Sequence, residues 1–258
     1  MYFNNVHILI YVGVALLGII IGKFIAWINM RIPEKKKVFT KEFFAINKQG
    51  LEKNYIIMIT IAVLYIALLY KFGIKDEFAK NLDLIKFLFL IPMLVSSFFI
   101  DIKNRILPNR INLTMFQIGL IFTFIYGITN INMAKDMIFG MFTGAGIFVI
   151  LTFVGRIVTG KESMGFGDVK FMGALGLYFG VSRIAEIVLS AFFISAVCSV
   201  IILIIRVVVL KSEDEYIPFG PFLSIAAVFS IFLPTNFIYT LFIALCTGIS
   251  SKIVGVIN

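Results

Sequence analysis

Histidine and cysteine are nearly absent from this sequence, with one His and two Cys in 258 residues. A structural or catalytic zinc site needs three or four His, Cys or carboxylate ligands, and no such cluster is present, so the reading assigns no metal. HExxH is missing, which removes zinc metalloprotease chemistry. A Ser-His pair would have to use His7, and no GxSxG elbow accompanies it. His7 reads as an interfacial residue, and Cys198 and Cys246 as small apolar side chains inside hydrophobic runs. Charge is scarce too. Only 14% of residues are charged against 60% hydrophobic, and mean hydropathy is +1.04. A soluble domain is roughly 45–50% apolar and about 25% charged. A soluble globule, a disordered chain and a fibrous repeat are therefore excluded, which leaves a polytopic membrane protein.

Apart from one of about 14, the apolar runs are 17 to 27 residues long. A transmembrane barrel would show short alternating strands, so the spans read as helices and the fold class as an all-α membrane bundle. The N-terminal MYFNNVHILIYVG has no basic leader or small-residue cleavage site and reads as the start of a first span. Spans are expected at 6–30, 54–73, 82–101, 111–130, 134–158, 169–182, 184–210, 218–234 and 236–256, eight or nine in all. The sixth is short and glycine-rich, as expected of a tilted or re-entrant segment. Placing the N-terminus outside puts 16 Lys and Arg inside against 6 outside, as the positive-inside rule requires. The same topology explains the net charge of +9 by orientation and anionic-lipid contact, and nucleic-acid binding is not expected. A two-span segment, 1–80, contains the short basic cytoplasmic loop 31–53 between its spans, and a larger membrane domain follows at 81–258.

Acidic residues in or beside spans are functional candidates. There are fourteen, and most fall in loops, Asp136 among them. Asp83 and Glu186 are expected to cap external helix ends or meet headgroups. Two differ. Asp101 ends the third span in VSSFFIDIKNRILPNRI, and Asp168 opens the sixth in ESMGFGDVKFMGALGLYFG. Both fall on the inner face by the charge count. Gly165 and Gly167 before Asp168 read either as turn formers or as sites of close backbone approach. Two carboxylates brought together share a proton, so one can take a proton from water while the other donates to a peptide carbonyl. A third segment on that face, EYIPFGPFLSIA, holds Pro218, Gly220 and Pro221. It reads either as a helix start or as a frayed end that pairs with an extended peptide. A proton-coupled carrier built on the same carboxylates is the alternative function.

At these residues the chain resembles the type IV prepilin peptidases, a family of GxGD aspartic proteases embedded in the bacterial inner membrane. The likeness rests on DIKNRILPN (101–109, with Pro108), GFGDVK (165–170, with Lys170) and IPFGPFLS (217–224), and covers about residues 85–230. GxGD is shared with presenilin-like proteases, which carry a different proline motif. Archaeal preflagellin peptidases are closer cousins. The resemblance implies that Asp101 and Asp168 are the catalytic pair. It further implies that the substrates are prepilin or pseudopilin precursors, cut after a glycine just before the apolar pilin helix at the cytoplasmic face, and that proteolysis needs no cofactor. GKFIAWINMRIP keeps the family's Gly22, Phe24, Arg31 and Pro33 but has Lys23 and Ala26 where Ser and Asn are usual. The following loop lacks the two CxxC pairs of many members. In the family that region is tied to methylation of the new pilin N-terminus, for which S-adenosylmethionine is the cofactor if the activity is retained. No residue is assigned to bind it.

Overall fold

The computed structural model describes residues 2–3, 6–32, 55–75, 77–160, 165–205, 218–234 and 240. The basic stretch 33–53, Glu162 and the expected ninth span 236–256, apart from Thr240, lie outside the described residues. Two two-residue strands, β1 (Tyr2–Phe3) and β2 (Val6–His7), pair antiparallel. Helices follow: α1 (Ile8–Arg31), α2 (Tyr55–Phe72), α3 (Phe78–Asn104), α4 (Asn109–Thr129), α5 (Ile131–Thr159), α6 (Phe166–Ile205) and α7 (Gly220–Phe232). The all-α membrane bundle is as expected. The span count is not. Among the described residues six helices are long and apolar enough to cross a membrane, and α7 is shorter.

The difference arises partly at α6, where the sixth and seventh expected spans form one element. It is broken at Gly180, whose backbone (φ 70°, ψ −178°) is not helical. Only glycine tolerates that conformation. A Cβ there would also strike the carboxylate of Asp136, which accepts the Val181 N–H at 3.3 Å and so caps the helix that resumes. Asp136 is therefore not a loop residue but a helix cap built into α5. The segment before the break, residues 171–180, is buried throughout. A helix apolar on all sides belongs inside a bundle.

Helix packing uses small residues, as it must where lipid is as apolar as leucine. Gly18 and Gly22 of α1 face Ala62 and Met58 of α2, so close that a Cβ would lie 2.7 and 2.6 Å from their Cα atoms. Gly140 and Gly144 of α5 meet the backbone of Gly176 and Met172 in α6 in the same way. At its start α1 is capped by His7, whose Nδ1 accepts the Leu9 N–H at 3.3 Å.

α3 is the central element of the core and carries Pro92 in its interior. Proline has no N–H, so the carbonyl four residues earlier, that of Leu88, loses its helical partner. The Tyr65 hydroxyl of α2 donates to that carbonyl at 2.7 Å. At the end of the bundle away from Asp101, Asp83 pairs with the buried Lys86 at 2.9 Å and accepts the Tyr126 hydroxyl at 2.8 Å. The Asp83 side chain is 42% exposed near the outer start of α3, in keeping with a residue that meets headgroups, whereas Glu186 is buried within α6 and does not cap a helix end. Asp83 also gives the buried Lys86 a counter-charge in apolar surroundings.

Candidate active site

Asp101 lies in the last turn of α3. The helix stops there because Arg105 turns into the left-handed region (φ 54°) and returns its N–H to the Asp101 carbonyl at 2.8 Å. The chain then crosses Ile106–Pro108 and starts α4. Pro108 takes the N-cap position, and its carbonyl accepts the N–H groups of Ile111 and Asn112. Asp168 is the third residue of α6. The N–H of Gly165, just before that helix, faces the Asp168 carboxyl together with the residue's own N–H. An acidic side chain at this position characteristically reaches back to the helix start.

The structure brings the two aspartates together. Both are buried, at 4% and 7% exposure, and their charges interact directly. The third segment joins them. The Gly220 N–H at the start of α7 donates to the Asp101 carboxyl. A Cβ on Gly220 would overlap that carboxyl and sit 3.1 Å from Leu107 Cδ2, so only glycine lets α7 approach this closely. Of the two readings of this segment, the helix start is the one observed: Phe219 is the N-cap and Pro221 falls in the first turn. Pro218 precedes it, half-buried.

Gly167 packs against Leu107, where a Cβ would stand 3.2 Å from the leucine Cβ. Gly165 has no such constraint, since a Cβ there would meet the Asp168 carboxyl at an ordinary 3.4 Å. Lys170 is exposed and does not reach the aspartates. Its Nζ donates to Asn109 Oδ1 at 3.0 Å and lies 5.1 Å from the centre of the Phe166 ring, tying the start of α6 to the start of α4.

Two residues that sequence reasoning passed over complete the arrangement. Leu107 touches both Gly167 and Gly220 and so spaces the two motifs. Asn112 is buried in α4, and its Nδ2 donates to the Gly167 carbonyl at 3.0 Å. The signal available was only an amide side chain in the first turn of a span that carries other polar residues. A larger cavity of about 810 Å³ lies between α1, α3 and α4, lined by Leu17, Ile21, Pro92, Met93 and Arg110 among others, and neither aspartate borders it. Among the described residues no three His, Cys, Asp or Glu side chains are grouped to hold a metal ion.

Residues 88–204 match the model of the type IV leader peptidase family. The chain is 32% identical over 126 residues to the leader peptidase HopD of Escherichia coli, covering 49% of this chain and 78% of that protein. It is 30% identical over 139 residues to a prepilin leader peptidase/N-methyltransferase of Aeromonas hydrophila, covering 54% of this chain and 46% of that protein. With the corresponding protein of Legionella pneumophila it shares 31% over 156 residues, 60% and 52% of the two chains. The chain spans about half the length of the two named as peptidase/N-methyltransferases. No solved structure matches it. Both aspartates fall inside the matched segment, and with it the chain belongs to the type IV leader peptidase family.

Proposed function

We propose that this protein is an intramembrane aspartic endopeptidase that removes the leader from type IV pilin-like precursors at the cytoplasmic face of the bacterial inner membrane. Asp101 and Asp168 are its catalytic pair. The observation that carries this reading is the meeting of two buried carboxyls from α3 and α6 at one end of the bundle, each supplied with backbone N–H donors at a helix start. The chemistry follows from the pair. One carboxylate takes a proton from a water molecule as the water oxygen bonds to the scissile carbonyl carbon. The other, protonated, donates to the carbonyl oxygen. As the tetrahedral intermediate collapses the C–N bond breaks, the leaving amine takes the proton that the first carboxylate had removed from water, and the hydroxyl proton on the former carbonyl oxygen returns to the second carboxylate, restoring the pair. Backbone N–H groups fix both carboxyls without needing further charged side chains, which suits an apolar setting.

The carrier alternative has no support. Both aspartates sit at one end of the bundle rather than midway, and the family is one of peptidases. N-methylation of the product with S-adenosylmethionine is a second activity, favoured by the names of the Aeromonas and Legionella relatives. Mass measurement of the cleaved product with and without S-adenosylmethionine decides it by the gain of one methyl group.

The peptidase assignment is tested by co-expression with a candidate prepilin. Asp101→Asn and Asp168→Asn keep the side-chain shape and remove the acid function. Each is expected to lower cleavage about a hundredfold or more. Normal cleavage by either variant refutes the pair.

A further inference from the structure

Hydroxyl groups within these helices follow a pattern. Thr114, Thr123, Thr143, Thr152 and Ser190 each donate to the carbonyl four residues back on their own helix, the usual way to satisfy a hydroxyl inside a membrane. Ser96 donates across to Asn29 Oδ1 at 2.5 Å. Ser97 and Ser224 depart from this. They are 0% and 1% exposed, and among the described residues their hydroxyls have no hydrogen-bond partner, as is also true of Ser230 at the far end of α7.

Their positions are related. Ser97 is four residues before Asp101 on α3, and Ser224 is four residues after Gly220 on α7. Asp101 and Gly220 are in contact where these helices meet. One turn away from that contact on each helix stands a buried serine. Ser224 lines a cavity of about 250 Å³ together with Leu94, Val95 and Phe98 of α3 and Val228 of α7. That lining places Ser224 on the α3 side of α7, on a wall that is apolar apart from this serine and Thr60 of α2.

An unpartnered buried hydroxyl costs about 1–3 kcal/mol, and two that each stand one turn from the same helix contact offer a site for water, which binds where several polar groups converge. The spacing suits it. Side chains four apart on a helix are about 5–6 Å from one another. One water making two hydrogen bonds of about 2.8 Å spans that gap.

We infer that Ser97 and Ser224 hold a water molecule between α3 and α7, one turn below the Asp101 carboxyl, and that this site feeds hydrolytic water to the catalytic pair. The inference rests on the peptidase reading. The two hydroxyls and the Asp101 carboxyl give the water three partners, and the largely apolar cavity beside Ser224 gives it little reason to move away from them. A soluble protease draws its water from bulk, whereas here both carboxyls are buried among apolar helices.

The test uses the full-length protein in detergent with a purified prepilin. Cleavage by wild type and its loss in Asp168→Asn establish the peptidase reading first. Ser97→Ala, Ser224→Ala and the double variant are then compared for kcat, KM and thermal midpoint. The double variant is expected to lose about tenfold in kcat, with KM within about twofold and no rise in midpoint. Bare, unhydrated hydroxyls predict the reverse, because removing an unsatisfied group stabilises: the midpoint rises and kcat stays within about twofold of wild type. Unchanged kcat overturns the site whatever the midpoint does. Should the double variant fail to fold, Ser224→Ala alone is read by the same criteria. Should wild type not cleave, the peptidase reading fails and the midpoints alone decide. A fall then supports the water site, and no change or a rise overturns it.

Discussion

The bond between Tyr65 and Leu88 has a cause that can be removed independently of the bond. Tyr65 donates to the Leu88 carbonyl at 2.7 Å because Pro92 cannot. In Tyr65→Phe the ring stays packed and the carbonyl loses its donor. Tyr65 is 1% exposed, so water does not replace the hydroxyl. Leaving a buried acceptor unmet costs about 1–3 kcal/mol, and interhelical hydrogen bonds measured in membranes reach about 1.7 kcal/mol. The expected loss is therefore about 1–2 kcal/mol. In a Pro92→Ala background residue 92 regains an N–H that reaches Leu88 along the helix. The same Tyr65→Phe change is then expected to cost less than about 0.5 kcal/mol, a coupling near 1 kcal/mol. Unfolding of the four proteins of the cycle by SDS titration in mixed micelles measures it. Equal costs in the two backgrounds refute the reasoning, because the tyrosine is then not answering for the missing proline N–H. Activity gives a second readout. Asp101 lies nine residues beyond Pro92 on α3, about 13 Å along the helix, so any change in the course of the helix at residue 92 re-aims the carboxyl, and Pro92→Ala is expected to lower cleavage even where stability is kept.

Two further expectations concern single side chains. Gly180→Ala forces a Cβ onto a backbone with φ 70° and against the Asp136 carboxylate, and is expected to cost about 1–3 kcal/mol, read as a lowered thermal midpoint in detergent; an unchanged midpoint refutes the break in α6. Asn112→Leu removes the donor to the Gly167 carbonyl at 3.0 Å and is expected to reduce kcat more than it raises KM, since it loosens the segment that carries Asp168; steady-state kinetics with a full-length prepilin checks this.

What the sequence made legible, and what it did not, divides along the range of the forces involved. Aspartates beside glycine and proline breaks were visible because each break is a local backbone event, and the structure draws all three segments together. Span limits were legible where a polar or turn residue coincides with the true end, as at Asn130, whose side chain caps α5 by accepting from Asn132 and Met133. Arg183 misled. A charge in a long apolar run reads as a loop, so the boundary between the sixth and seventh spans fell beside it. The break is at Gly180, and Arg183 is instead committed to the Ser230 carbonyl, 47 residues on. Tyr126 as a partner of Asp83 could not be read either, because the two are 43 residues apart. Asn112 gave only the weak signal of a polar residue in a span, since its role depends on a carbonyl 55 residues distant.

α7 shows how the fold and the site depend on each other. It has 13 residues, about 20 Å of helix, against a hydrocarbon core of about 30 Å. A helix that short leaves at least one end within the membrane, where the unpaired N–H and C=O groups of a helix terminus cannot turn to water. Both ends of α7 are answered by protein. At the C-terminal end Arg183 donates to the Ser230 carbonyl at 2.6 Å and Lys71 to the Ile231 carbonyl at 2.5 Å, cations where the helix dipole is negative. At the N-terminal end Pro221 removes one donor outright, and the Gly220 N–H donates to Asp101. The carboxyl is thus one of the groups that makes the short helix tolerable, and the helix is in turn what orients the carboxyl. A longer α7 with solvated ends would have no N–H to spare for Asp101 at this depth. The shortness that kept α7 from counting as a full span is what places its first turn at Asp101.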